Sequence, residues 1–472
     1  MTKAILPSTF DLQKHINTYN PEEYGIKKFD IDHAAFILSQ VFEIPAKNKL
    51  ISDQISIKND YTLVSSKILQ GYVHSYKRYI VYFIQTNVIE CDNLYKPSSI
   101  YPGAEKCYGY RFVKEYNDND VITFNYNKKF STVVKKQEYK RNLSSFKEYN
   151  YLTKWLKDSG LEIDISKALE YIEVKKNAQL INPDLLDTKR NNLSGRDEKK
   201  NPIEQFRSAK INLIKISSNN LDYVIDDTVK RMHTPYTNLN SELRNYITFK
   251  GERLCSIDIV NSQPYISTVL FNINNISKIN KKLTLTNQLP PLVLEKTIEL
   301  SNNEDVRAFG DIVSSINGSN QDLYTLMLTK SKDIGIGYLS RSEAKEAMFE
   351  VLFSSNRYVS DTKKLFGQLF PSVDEIYRLI KNEHKSKLAC VLQNIESYMV
   401  IQNITKSAAK AYPTMPLITI HDSIATTLSY ECKLKNIMYD KLTDLVGLPP
   451  KLKTDYWSPE NIDWQMYDAY KA

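Results

Sequence analysis

A carboxylate set inside an apolar stretch constrains this chain more than any other feature. Between Leu254 and Pro264, Ile257 and Ile259 flank Asp258, and a polar cluster of Asn261, Ser262 and Gln263 follows. A charge buried in such a strand costs on the order of several kcal/mol unless it is paired or binds a metal ion. The ordinary alternative is an Asp at a strand end that caps the next helix, and this segment alone leaves both open. A second segment, Leu417 to Thr427, has two β-rich arms around His421 and Asp422, which predicts a hairpin presenting that pair at its bend. One Asp in a turn is ordinary. Two acids at the ends of apolar strands can instead converge on a pair of divalent ions, and carboxylate oxygens suit hard Mg²⁺.

The third segment runs from Ser340 to Phe353. Ser340 and Glu343 match the S-x-x-E capping box that fixes a helix start, and Arg341, Lys345, Phe349 and Phe353 then recur every four residues on one stripe. Cations in the first turns of a helix oppose its dipole, so an anion is expected beside them. A triphosphate, with an aromatic face further along to stack on a base, meets both requirements. The ordinary alternative is an exposed helix with paired charges and a Phe core face.

The rest of the chain supplies the setting. Its 472 residues, 42% of them hydrophobic, provide material for two or three packed cores. No apolar run is long enough to span a bilayer, and Met1 to Phe10 lacks the regions of a signal peptide, so a cytoplasmic protein without membrane contact is expected. Five scattered cysteines without a CxxC pair argue against a zinc site or a disulfide framework. The net charge of +8 is mild but unevenly placed. Lys128, Lys129, Lys135, Lys136, Lys140, Arg141 and Lys147 face one acid, Glu138, between positions 128 and 147. A second patch holds Lys189, Arg190, Arg196, Lys199 and Lys200, interrupted by Asp197 and Glu198. Such runs are most often solvated surface; nucleic-acid contact is the second reading.

Three regions are expected. Residues 1–135 read as a small winged-helix-like module, with helical patterns at His33 to Phe42 and Tyr61 to Gln85. Strands at 87–94 and 107–114 follow, flanking a turn from Pro97 to Gly103. Residues 136–230 read as mostly helical, with a polar tip from Asn182 to Pro202. Residues 231–472 read as an α+β domain that carries the chemistry.

Taken in order, these segments resemble the family A (Pol I-like) DNA polymerases and the phage-type single-subunit RNA polymerases related to them. That family has a palm strand ending in a metal-binding Asp, a fingers helix of the form R-x-x-x-K-x-x-x-F/Y, and a His-Asp hairpin with the second metal-binding Asp. Here these are similar to Asp258, to Arg341, Lys345 and Phe349, and to His421 with Asp422. Phe353 falls where the family usually has Tyr. Arg231, Met232, His233 and Thr234, followed by Asn238, Leu239 and Arg244, are similar to its template-primer segment. Leu365 to Pro371 resembles the stretch after the fingers helix, and Gln393 its primer-template glutamine. The resemblance spans roughly 231 to 430.

Two departures bear on sugar selection. Gln263 and Ser423 stand where the DNA polymerases usually have Glu, and both lie closer to the RNA polymerase branch. The resemblance implies a right-hand palm with helical fingers, and a thumb at 136–230. It also implies two Mg²⁺ ions, replaceable by Mn²⁺, on Asp258 and Asp422. Arg341 and Lys345 would hold the triphosphate, Phe349 and Phe353 would lie near the base, and Gln263 near the sugar. Arg231, Thr234, Asn238, Arg244, Gln393 and His421 would face template or primer. Glu396, one turn past Gln393, is either a further acid near the site or a structural salt-bridge partner. The expected activity is a DNA-directed DNA polymerase using a DNA template, a primer and dNTPs, in a host cell if viral or plasmid-borne. A replication partner would bind through the N-terminal module. The alternatives are an RNA polymerase or primase using NTPs, and a catalytically silent palm-like binding protein.

Overall fold

The computed structural model describes residues 3–47, 61–93, 96–97, 106–117, 120–157, 160–190, 197–218, 223–226, 228–283, 288–314, 322–333, 335 and 340–470. The backbone alone is described at 47, 96–97, 106–107, 138–147, 157, 189–190, 197, 280–282 and 468. Arg196 and the turn from 98 to 103 therefore lie outside the described residues. So do the side chains of Glu138, Lys140, Arg141, Lys147, Lys189, Arg190 and Asp197. The fold mixes helix and antiparallel sheet, and the chain forms two compact units. One comprises Met1–Val224, His233–Lys250 and Ser458–Ala472; the other comprises Ile225–Met232 and Gly251–Trp457.

In the first unit, strand Lys3–Pro7 pairs antiparallel with Val121–Asn125. The strands expected near 87–94 and 107–114 are Ile89–Cys91 and Lys106–Phe112, paired with Ile89 opposite Phe112. Thr62–Val64 pairs with Lys106–Phe112 as well, so the helical pattern expected from 61 starts later, as Ser66–Tyr72 and Tyr76–Gln85. The core gathers Phe36, Leu38, Tyr79, Tyr82, Phe83, Phe112 and Phe130 around helix Ile31–Lys47.

Ile211, on helix Pro202–Ser217, belongs to the same core. Asn212 of that helix donates to the Ala46 carbonyl at 3.2 Å, and Lys215 pairs with Glu43 at 3.2 Å, both side chains under a tenth exposed. Residues read from sequence as two regions, 1–135 and 136–230, thus share one interior. Strand Leu161–Ile163 pairs with Ile247–Phe249. Gly160 permits that approach, since a Cβ there would stand 2.8 Å from the Phe249 ring.

The second unit is built on four antiparallel strands in the order Ile418–Ile420, Ser423–Thr427, Glu252–Ile259, Leu452–Tyr456. Helices cover the central strand, where Leu254, Cys255, Ile257 and Ile259 are fully buried. Phe309, Phe366, Phe370 and Tyr377 form an aromatic cluster with ring centroids 5.2–6.0 Å apart. Tyr377 shares a hydrogen bond with Ser267, which anchors the short helix Ser262–Ser267 that leaves the central strand. Helix Arg341–Phe353 buries Ala344, Ala347, Met348, Val351 and Leu352, and Lys381 donates to its Val351 carbonyl at 2.6 Å.

Candidate active site

Asp258 sits one residue before the end of the central strand, opposite Ser423 on one neighbour and Lys453 on the other. It caps no helix. The cap position of Ser262–Ser267 belongs to Asn261, in the left-handed region at φ 54°. The expected hairpin is present: Ile420 pairs with Ser423, leaving His421 and Asp422 as its two-residue bend. His421 has φ 56°, the positive value that tight hairpin turns require at a central residue and that glycine normally supplies. The register therefore sets Asp422 beside Asp258, each half-buried.

Electrostatics match this placement. Burial, reinforced by the facing charges of Asp422 and Asp455, pushes the Asp258 carboxyl up to about 7, with Lys345 and Lys453 pulling the other way. Asp455, a third acid not singled out in the sequence, stands two residues beyond Lys453 and pairs with it at 2.6 Å. Like charges held together in partial burial favour a bound cation. Among the described residues no group of three or more His, Cys, Asp or Glu is arranged to hold a metal ion. The donor set fits Mg²⁺ nonetheless, because that ion is commonly held by one or two carboxylates with water and phosphate oxygens completing its shell.

Helix Arg341–Phe353 starts as expected, with Ser340 Oγ accepting from the Glu343 N–H at 3.2 Å. Arg341, Lys345 and Phe349 lie on its exposed side, opposite the buried face, and Phe349 is 44% exposed. Phe349 and Phe353 stack with centroids 5.7 Å apart, and the exposure of Phe349 sets it outside the buried face of this helix. Lys345 acts on Asp258 electrostatically, which ties the helix to the acids. The anion beside Arg341, however, comes from the chain. Its Nε donates to Asp322 Oδ2 at 2.9 Å and its Nη2 bonds the same oxygen. No triphosphate is needed to balance that cation.

Glu396, 1% exposed, is a salt-bridge partner that also lies near the acids. It accepts from Arg231 Nε at 2.9 Å and Nη2 at 2.6 Å, and from the Gln263 amide. Burial lifts its carboxyl to about 7 against the pull of Arg231, and the Asp422 charge adds to the rise. Gln263 is thus held by its nitrogen, while its Oε1 is buried without a hydrogen-bond partner. Gln393 is half-buried on the same helix, Lys387–Ser397, and His421 is exposed at the bend.

The remaining candidates lie in the other unit. Thr234 is a buried cap whose hydroxyl accepts from Thr237 in a reciprocal box, and Asn238 ends the short helix Pro235–Asn238. Arg244 donates to the Leu239 carbonyl at 3.2 Å, and burial lowers its pKa.

No family model matches this chain, and no curated protein matches it. Among solved structures, the chain is similar to the POL domain of Pol1 from M. smegmatis in complex with DNA primer-template and dNTP. That likeness covers 70% of this chain and 74% of the other at 10% identity, with a TM-score of 0.31, and it assigns no family. No helix among the described residues is long and apolar enough to cross a membrane.

Proposed function

We propose that the second unit is a template-directed nucleotidyltransferase that extends a primer, with DNA as template and dNTPs as substrates. The observation that carries this reading is the meeting of Asp258 with Asp422 across neighbouring strands, within electrostatic reach of Lys345 on the exposed cationic stripe. The order of the motifs along the chain supports it independently.

In this reading the primer 3′-hydroxyl attacks the α-phosphorus of the nucleotide, and the bond to the departing pyrophosphate breaks. Asp258 and Asp422 would hold two Mg²⁺ ions, which when bound activate the attacking hydroxyl and stabilise the leaving oxygens. Lys345 places positive charge where the phosphates would lie, and Arg341 adds a second cation one turn nearer the helix start. The exposed ring of Phe349 offers a face for a base. Gln263, fixed by Glu396, would meet the sugar. Arg231, occupied by Glu396, would act on the template-primer side through that partner rather than by direct phosphate contact.

A second reading, an RNA polymerase or primase, is favoured by Gln263 and Ser423, since neither supplies a carboxylate where the DNA polymerases usually have Glu. The test is extension of a labelled primer on a DNA template with Mg²⁺, offering dNTPs and NTPs separately, beside Asp422→Ala. Extension with dNTPs that the variant loses supports a DNA polymerase. Extension with NTPs moves the protein to the second reading. Tight binding of primer-template without extension by either would leave a catalytically silent binding protein and refute both.

A further inference from the structure

The contact between Arg341 and Asp322 joins two groups of unequal freedom. The Asp322 side chain is 10% exposed and the Arg341 side chain 49%. Asp322 is pinned from its other oxygen: Oδ1 accepts from the Thr325 N–H at 2.9 Å and the Thr325 hydroxyl at 2.8 Å, at the start of helix Leu323–Asp333. Burial alone would raise its pKa, but the hydrogen bonds from Arg341 and Thr325 outweigh burial and hold the carboxyl below its ordinary value. It is therefore a fixed negative charge at neutral pH. A guanidinium has five N–H donors, and this contact uses one at Nε and one at Nη2. The guanidinium also stands 5.2 Å over the ring of Tyr324, a buried side chain that feels the charges of both Asp322 and Asp422. This cluster thus belongs to the same electrostatic neighbourhood as the paired acids.

We propose that Asp322 is a built-in competitor for the nucleotide triphosphate at Arg341, and so sets how tightly the site takes its substrate. The inference rests on the reading of this site as a nucleotidyltransferase. A carboxylate that occupies the guanidinium edge best suited to a phosphate must be displaced or outweighed when substrate arrives, because two anions cannot share those donors without repulsion. Arg341, half exposed at the start of its helix, is the mobile partner; Asp322, tied to Thr325, stays. Arg341 then exchanges one anion for another, and substrate affinity reflects the difference.

The discriminating substitution is Asp322→Asn in the full chain. Asn ranks with Asp at helix starts and keeps a side-chain oxygen for Thr325, so the helix cap survives while the charge is removed. Asp322→Ser, another capping residue without charge, serves as the second variant. Steady-state primer extension should show KM for the nucleotide falling about tenfold in both, the scale of one charge-assisted hydrogen bond freed from competition, with kcat unchanged or lower. In an Arg341→Gln background the same substitutions should leave KM where Arg341→Gln alone puts it. A purely structural Asp322 would lower the thermal midpoint and leave KM unchanged or raised. If the wild-type protein extends a primer but KM does not fall, or falls equally without Arg341, the competitor is refuted and the polymerase reading stands. If the wild-type protein neither extends nor binds nucleotide, the polymerase reading fails and this inference with it.

Discussion

Replacing Arg231 with Met should destabilise the helix that carries Glu396, by an amount that depends on pH. Glu396 is 1% exposed and Arg231 is 20% exposed, so the pair is desolvated mainly on the acid side. Even with Arg231 in place, burial moves the carboxyl from 4.5 to about 7. Above both values, a displacement of that size costs about 3 kcal/mol. Because the folded pKa lies above the unfolded one, the folded state keeps a proton that the unfolded state has lost. Stability is then fully present below 4.5 and is lost as pH rises through 7. Arg231 is the strongest force pulling that pKa down, so Arg231→Met lifts it further and widens the window upward. Without Arg231 the carboxyl keeps its proton at pH 8.5, so the added penalty is capped by the interval from 7 to 8.5, about 2 kcal/mol, and it should largely vanish near pH 5, where Glu396 is protonated in both proteins. The chain forms two compact units that need not unfold together, so the readout should be local. Hydrogen exchange in peptides covering 387–404, corrected for intrinsic rate, should be faster in the variant by about 30-fold at pH 8.5. The same factor at both pH values, or no change at either, would show that Glu396 is not held as a buried carboxylate by Arg231.

Other outcomes follow from the same geometry. Asp258→Asn should abolish primer extension yet raise the thermal midpoint, because it removes a half-buried charge that faces Asp422 and Asp455. A lower midpoint would show that Asp258 is satisfied by partners within the fold. Lys215→Met should destabilise the first unit in thermal melts by roughly 3–5 kcal/mol, and adding Glu43→Leu should recover part of that loss, since it removes the buried carboxylate that Lys215 balances. Failure of the double variant to recover would mean that the pair also organises its surroundings.

The sequence made the local parts of this site legible. The β-rich arms around His421 and Asp422 could close only through a short bend, and they do. Ser340 marked a helix start three residues ahead of Glu343, and the every-fourth spacing placed Arg341, Lys345 and Phe349 on one exposed side. What escaped was the identity of distant partners. Lys453 and Asp455 alternate along a strand whose period fixes which face they share but not which strand they join, so their arrival beside Asp258 had no local signal. Asp322 is recognisable as a helix start, an acid three residues before Thr325, yet nothing in that pattern points to Arg341. The expected need for an anion near Arg341 was met from inside the chain instead. Glu396 was legible as an acid near Gln393, but its grip on both Arg231 and Gln263 is a tertiary fact. The shared interior of residues 1–135 and Pro202–Ser217 escaped for the same reason: Ile211 fits a helix face whichever neighbour it meets.

The helix bearing Glu396 does not simply continue. From Tyr398 to Ile404 the backbone widens into a π-helical stretch before regular helix resumes at Thr405–Ala411. Each residue of an α-helix turns the chain by about 100°, and a π turn absorbs an extra residue within one winding. The extra residue is therefore taken up locally, and Glu396 keeps its direction relative to the segment downstream. Deleting one residue from that stretch should let the helix become regular with both flanks still in register, so that Glu396 keeps Arg231 and Gln263, whereas a deletion in the regular helix would turn it away by about 100°. The widened stretch is thus the place where this helix can lose a residue without moving the site, and relatives of this protein that keep all three partners need not keep the count.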